Sequence, residues 1–225
     1  MLRGWTKSSY LTWVAGLIGI TIVTFTVNNL SLVTVLSLIG ALSGFTSVVL
    51  IVNVKKEAGY IGLISAIIYI FISFKLGNYS DSVLNALFIV CLYLPLIINT
   101  EYKEGMEPNT LHDSGRAVCM LIALFVAIYG LLFIMEVKLG APRPYISVLA
   151  ASLGIMASIM TSYLRLKESA YIWNIQNVLQ LVLWSYTYYQ TGSGIALVLS
   201  VTYLFYTINA STFFTSRKWG FKWKY

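Results

Sequence analysis

Apolar residues fill almost the whole chain in runs of about 15 to 25, and a short polar or charged stretch ends each run. A helix needs this length to cross the hydrocarbon core of a bilayer, which is about 30 Å thick. The runs cover residues 10–27, 30–54, 60–74, 83–99, 117–136, 144–164, 171–189 and 195–215. The pattern predicts an all-α integral membrane protein with about eight transmembrane helices.

Composition agrees with this fold class. Of the 225 residues, 58% are hydrophobic and 10% are charged, whereas about a quarter of the residues of a soluble domain are charged. The net charge is +7, but the basic residues are scattered through the connections between runs and form no stripe. A water-soluble fold is excluded, and nucleic-acid binding is disfavoured.

The basic residues predict the orientation, because lysine and arginine collect on the cytoplasmic side of bacterial membranes. Eight spans with both termini in the cytoplasm leave only Lys75, Lys138 and Arg143 outside. The twelve basic residues on the inner side are Arg3, Lys7, Lys55, Lys56, Lys103, Arg116, Arg165, Lys167, Arg217, Lys218, Lys222 and Lys224. The bias favours a multi-pass protein of the bacterial inner membrane.

The first run could also be read as a signal peptide, since Arg3 and Lys7 precede it. No small-x-small cleavage site follows, and Asn28 and Asn29 lead directly into the next run. We therefore interpret it as a retained helix. If the first run did not cross the membrane, Arg3 and Lys7 would lie outside, and the ratio of inner to outer basic residues would fall from twelve against three to ten against five.

Two segments of the chain repeat one another. The pattern Lys-Glu-x-x-Tyr-Ile-x-x-Ile begins at Lys56 and again at Lys167, 111 residues later. Upstream, Ser37, Ala41 and Gly44 precede Ser147, Ala151 and Gly154 by 110 residues. Chance similarity between loops is the alternative explanation. A true repeat offset by four crossings would make the two copies parallel, which is a transporter architecture.

The repeat divides the chain into two three-helix copies joined by a linker helix, with one extra helix in front. The predicted units are an N-terminal helix (1–29), repeat 1 (30–99), a cytoplasmic loop with the linker helix (100–143), repeat 2 (144–215) and a basic cytoplasmic tail (216–225).

A polar stripe runs along the seventh span. Since successive helical residues turn by about 100°, Trp173, Asn177, Gln180 and Trp184 lie on one face, with Gln176 beside it. Carboxamides at membrane depth are costly unless they have partners, so this face should meet the bundle interior or a wet cavity. Hydrogen bonds between helices, with the indoles in interfacial belts, are the alternative.

Other candidates for the same cavity come from three more spans. In the first copy, the equivalent face carries Gly62, Ala66, Tyr69 and Ser73 with Ser65 beside it, and its small residues should leave room. Tyr206 and Asn209 share a face of the eighth span with Thr202. Asn85 lies near the outer end of the fourth span, where a helix-end cap is an equally good explanation.

Ionisable residues are absent from the interiors of the predicted runs, apart from Glu136 at a boundary. The sequence therefore predicts no proton relay, catalytic residue, metal site or cofactor, and a membrane enzyme is disfavoured. The one histidine, His112, lies in the acidic loop between the fourth and fifth runs, where a solvated charged segment is expected.

These motifs resemble those of the PnuC family of bacterial nicotinamide riboside transporters, from about residue 37 to 220. Trp173 and Asn177 match the second Trp and the Asn of the family pattern Trp-x-x-Trp-x-x-x-Asn, while Ala170 replaces its first Trp. Gly62 to Ile64 match a Gly-Leu-Ile motif that a polar residue, here Ser65, follows. Asn85 takes the place of a Gln, and Asn209 matches an Asn of the last span.

The resemblance implies a three-one-three helix plan and uptake of nicotinamide riboside without evident ion coupling, followed by trapping through a separate cytosolic kinase. Relatives that carry thiamine or riboflavin are the alternative. A further alternative is a membrane scaffold or assembly protein, in which the polar stripe would be tightly packed. The expected partners are a small vitamin and the lipid bilayer, not nucleic acid; a homo-oligomer is left open.

Overall fold

The computed structural model describes residues 5, 7–53, 55, 57–98, 115–162 and 168–216. Every regular element in these ranges is helical. The helices are α1 (Lys7–Val27), α2 (Leu32–Val52), α3 (Glu57–Lys75), α4 (Tyr79–Phe88), a π-helical turn (Ile89–Tyr93), α5 (Leu94–Ile98), α6 (Gly115–Lys138), α7 (Pro144–Ser162), α8 (Ser169–Thr191) and α9 (Gly194–Ser216). The predicted all-α membrane fold is confirmed.

Six helical stretches of the described ranges are long and apolar enough to cross a membrane: Ser9–Val27, Leu32–Val52, Glu57–Lys75, Tyr79–Ile98, Val118–Lys138 and Pro144–Ser162. α9 adds a shorter apolar stretch, Gly194–Ala210. α8 has 23 residues, enough to span, but the polar stripe makes it less apolar than the others. The loop with His112, the tail beyond residue 216, and Lys56 and Lys167 of the repeated motif lie outside the described residues.

The fourth span starts earlier than its apolar run. Gly77 reverses the chain after α3 with φ of 73°, a left-handed conformation that suits glycine. Asn78 precedes α4, which begins at Tyr79 and not at residue 83. The π-helical turn directly before Leu94 and Pro95 is the irregularity expected where a proline removes a backbone donor. The early start brings Asp81 into the helix.

Six helices pack into a closed ring. α2 contacts α3, α3 contacts α4, α4 contacts α7, α7 contacts α8, α8 contacts α9, and α9 returns to α2. α1 packs outside the ring against α9 and α2, and α6 packs outside it against α7. α8 therefore lies between α7 and α9 with one face directed into the ring.

Gly62 marks a close approach between α3 and the π-helical turn. A Cβ added there would overlap the ring of Tyr93 and lie 2.6 Å from Ser47 Oγ. We expect Gly62→Ala to lower the free energy of unfolding by about 1 to 3 kcal/mol, because overpacking forces neighbours to shift. Thermal denaturation in detergent, followed by size exclusion, measures this loss.

Gly130→Ala on α6 is the matched control, because no atom lies within 4 Å of an added Cβ there. Both substitutions remove a glycine from a helix interior and gain the same intrinsic helix propensity. The control should be neutral or slightly stabilising. Equal melting temperatures for the two variants would show that the Tyr93 ring moves aside without cost.

Candidate binding site inside the helix ring

The polar face of α8 lies inside the protein. Gln176, Asn177, Gln180 and Trp184 are buried, and Gln180 has no exposed surface. Val178 and Val182, on the other side of the same helix, are exposed. The structure thus directs the amides inward and the valines toward lipid, as the energetics of a bilayer require.

Asp81 is the central acceptor of this interior and was not expected from the sequence. Its side chain is 1% exposed and its Oδ1 accepts a hydrogen bond of 2.6 Å from Gln180 Nε2. Its Oδ2 accepts from Ser73 Oγ and, at 3.3 Å, from Asn85 Nδ2. The predicted run 83–99 does not contain Asp81, but the span Tyr79–Ile98 does, so the predicted start of the fourth span is wrong. α3, α4 and α8 meet at this carboxyl group.

The sequence contained a signal for Asp81. Gly77 and Asn78 form a turn followed by a helix start, and an acidic residue in the first turn is typical of a helix N-terminus. The apolar run itself begins only after Ser82, so hydrophobicity alone set the boundary too late.

Three polar atoms of the α8 face are buried without a hydrogen-bond partner among the described residues: Gln176 Oε1, Gln180 Oε1 and Trp184 Nε1. A buried polar group left unpaired costs about 1 to 3 kcal/mol. Such groups call for an explanation, commonly an unseen water or a ligand. Two acceptors and one donor on one face are therefore available to a polar guest.

Aromatic side chains surround the Trp184 end of this face. Tyr203 and Tyr206 on α9 lie edge to face, with ring centroids 5.0 Å apart, and Phe45 on α2 stacks on Tyr206 at 6.0 Å. Trp184 and Tyr69 belong to the same buried cluster. Tyr69 and Tyr206 were predicted site residues; Tyr203 was missed, although its spacing of three from Tyr206 puts it on the same helix face.

Trp173 lies apart from this group. Its Nε1 donates to Thr161 Oγ1 of α7 at 3.0 Å, and its ring is 5.5 Å from that of Phe88. It packs in a second buried cluster, with residues of α4 and α7. The predicted stripe is therefore continuous along α8, but its two indoles meet different neighbours.

Two predicted site residues remain, Asn85 beside Asp81 and Asn209 on α9. Asn85 donates to the backbone oxygen of Asp81 at 2.8 Å as well as to its carboxylate, so it belongs to the Asp81 group and does not cap a helix end. Asn209 is buried on α9, three residues beyond Tyr206. For all nine predicted residues a role in binding stays a prediction.

The small residues of α3 leave less room than the sequence suggested. At Gly62 the Tyr93 ring occupies the space, and at Gly44 of α2 the hydroxyls of Ser65 and Tyr206 would each lie 2.5 Å from an added Cβ. Ser73 is engaged with Asp81. The small residues let α2, α3 and the π-helical turn approach, so the room expected beside Gly62 is filled by Tyr93.

A second buried network anchors the start of α4. Glu136 Oε1 on α6 accepts from Ser80 N at 2.6 Å and from Ser147 Oγ at 2.9 Å. The network holds the first turn of α4, and with it Asp81, against α6 and α7.

Arg143, just before α7, ties the corner between α3 and α4 to the end of α8. It donates to Gln190 Oε1 at 2.6 Å, to Leu76 O at 3.0 Å and to Asn78 Oδ1 at 3.3 Å. Burial lowers the pKa of Arg143 and Glu136 raises it, and a guanidinium stays charged in either case. Arg143 is therefore bound to the corner between α3 and α4 through Leu76 and Asn78.

Comparison with known proteins places these features in context. The sequence model of a family described as nicotinamide mononucleotide transporter matches residues 34–220. The nicotinamide riboside transporter PnuC of Neisseria mucosa is 24% identical over 221 residues, which cover 93% of this chain and 80% of that protein. A crystal structure of the vitamin B3 transporter PnuC has the same fold, with a TM-score of 0.70 at 19% identity, over 95% of this chain and 94% of the other.

Proposed function

The chain belongs to the nicotinamide mononucleotide transporter family, and on that premise we propose that it takes up nicotinamide riboside by facilitated diffusion. The observation that carries the proposal is the buried face of α8, where two carboxamide oxygens and an indole N–H have no partner among the described residues. The relative from Neisseria mucosa is named for nicotinamide riboside.

The chemistry of this ligand suits the face. Nicotinamide riboside joins a flat cationic ring, which bears a carboxamide, to a ribose rich in hydroxyl groups. Gln176 and Gln180 offer acceptors for ribose hydroxyls or for the ring amide. Trp184 and the tyrosines beside it offer aromatic faces for the ring.

The transport cycle we propose uses the two three-helix copies as rocking units. The order of packing in the ring supports it, because α2, α3 and α4 contact one another in sequence as α7, α8 and α9 do. Both termini would lie in the cytoplasm of a bacterium, as the basic residues suggest, and a separate kinase would trap the product. Copies 30–99 and 144–215 remain the units of this proposal.

Binding and uptake by the purified protein test the proposal. Nicotinamide riboside, thiamine and riboflavin would be titrated side by side, and labelled uptake would be followed in proteoliposomes with and without ion gradients. We expect nicotinamide riboside to bind best and to equilibrate without a gradient. Tighter binding of thiamine or riboflavin would favour the related vitamin carriers, and gradient-driven accumulation would contradict facilitated diffusion.

A scaffold role is separated from transport by Asn177→Leu, because Asn177 is a buried amide of the same face. A transporter should lose uptake and keep its oligomeric state in this variant. A scaffold should show the reverse.

A further inference from the structure

Asp81 is a buried acid whose charge is balanced by no cation in the described part of the chain. Its hydrogen-bond partners are Ser73, Asn85 and Gln180, all neutral. The other buried acid near the start of α4, Glu136, accepts from Ser80 N and Ser147 Oγ. The nearby cation, Arg143, faces Glu136, Gln190 and Asn78.

An ionised carboxylate in this position is expensive. Removing an ion from water costs several kcal/mol even after the protein relaxes. Hydrogen bonds from neutral side chains offset only part of this desolvation free energy. Ionisable groups inside membrane proteins face the bundle interior or a cavity and mark substrate pathways. A cationic guest would supply the missing charge.

The surroundings of Asp81 suit a flat cation. Tyr69 lies one turn before Ser73 on α3, and Ser73 donates to Asp81. Tyr69 and Tyr203 belong to the buried cluster of Trp184 and Tyr206. Aromatic faces attract cations, more strongly when water is excluded. The amide of Gln180 holds Asp81 through its nitrogen, while its Oε1 has no partner among the described residues. A second acceptor thus lies beside the carboxylate.

We propose that Asp81 is the counter-charge of the transported molecule and selects flat vitamins with a permanently cationic ring, pyridinium or thiazolium, over neutral ones. The inference rests on the proposed function and assigns the specificity-determining residue of its site. Gln180 positions the carboxylate, and the tyrosine and tryptophan faces hold the ring.

The wild-type protein gives the first test. Nicotinamide riboside and its 1,4-dihydro form share the ribose and the carboxamide, but only the oxidised form has a cationic ring. We expect the cationic form to bind at least about tenfold more tightly, equivalent to about 1.4 kcal/mol. Equal affinities would overturn the inference and leave the proposed function standing.

Asp81→Asn gives the second test. The variant should lose most of the preference, because binding of the cationic form weakens while binding of the neutral form does not. Thr24→Val is the control: Thr24 is equally buried, and its hydroxyl donates to the backbone oxygen of Ile20 on its own helix α1, so the variant should keep the ratio of affinities. Equal weakening of both forms in Asp81→Asn, or loss only of a response to a proton gradient, would contradict the assignment.

The two hypotheses fail separately. If thiamine binds and nicotinamide riboside does not, the proposed substrate is wrong and the cation preference stands. If neither cationic vitamin binds, both are wrong. If Asp81→Asn does not fold, equal wild-type affinities for the oxidised and dihydro forms would still overturn the inference.

Discussion

Replacing Gln180 by leucine should reduce uptake by about tenfold to a hundredfold. Gln180 lies midway along α8, has no exposed surface, and donates to Asp81 Oδ1 at 2.6 Å. A hydrogen bond to a charged group is worth about 1.5 to 3 kcal/mol, and each 1.4 kcal/mol is a factor of about ten in binding. The leucine would also remove Oε1, one of the two unpartnered acceptors of the face.

Initial rates of labelled uptake in proteoliposomes, at matched protein content, measure the loss. Gln190→Leu is the control: Gln190 lies at the end of the same helix, is exposed, and accepts only from Arg143 in the described network. Uptake by this control should stay within about twofold of the wild type.

A double variant then tests whether Gln180 acts through Asp81. If it does, uptake by the double variant Asp81→Asn, Gln180→Leu should be little slower than uptake by the more damaging single variant, because the effects of coupled residues are not additive. Independent losses that multiply would show that the two side chains serve different purposes, and unchanged uptake in Gln180→Leu would remove α8 from the site.

The inward face of α8 could be predicted because two simple rules act on it. Helical geometry puts Asn177, Gln180 and Trp184 on one side, and the cost of a bare amide in hydrocarbon turns that side inward. Both rules depend only on residues close together in the sequence. The resemblance to transporters and the all-α membrane fold followed from equally local patterns.

Asp81 could not be placed by such rules, because contacts between distant residues determine where α4 begins. Ser80 N donates to Glu136, 56 residues away, and Leu76 O accepts from Arg143, 67 residues away. Both contacts hold the corner between α3 and α4 so that Tyr79 starts the helix. The pattern of apolar residues does not reveal that Glu136 and Arg143 make these contacts.

Tyr93 is a second residue whose position could not be predicted from local sequence patterns. The equivalence of the two copies made Gly62 the small counterpart of Trp173 and suggested empty space. The π-helical turn instead brings Tyr93 against Gly62. A local change in helical winding, which periodicity cannot reveal, decides which side chain occupies the gap.

Replacing Trp184 by phenylalanine should weaken ligand binding with little change in the stability of the empty protein. The indole is 1% exposed and its Nε1 has no partner among the described residues. Removing an unpaired buried donor is favourable by about 1 kcal/mol, but the cavity left by the smaller ring costs a similar amount, so the free energy of unfolding of the empty protein should stay within about 1 kcal/mol of the wild type. If a ligand accepts a hydrogen bond from that N–H, the same change should weaken binding by about tenfold.

Thermal denaturation with and without nicotinamide riboside measures both effects in one experiment, because a ligand that binds the native state raises the melting temperature. Trp13→Phe is the control, since the Trp13 indole on α1 already donates to Thr46 Oγ1 at 3.1 Å. That variant should lose a little stability and keep its ligand response. The alternative, a structural role for Trp184 alone, predicts that the phenylalanine variant keeps its full ligand response. The size of the ligand-induced rise in melting temperature therefore decides whether the unpaired indole belongs to a binding site.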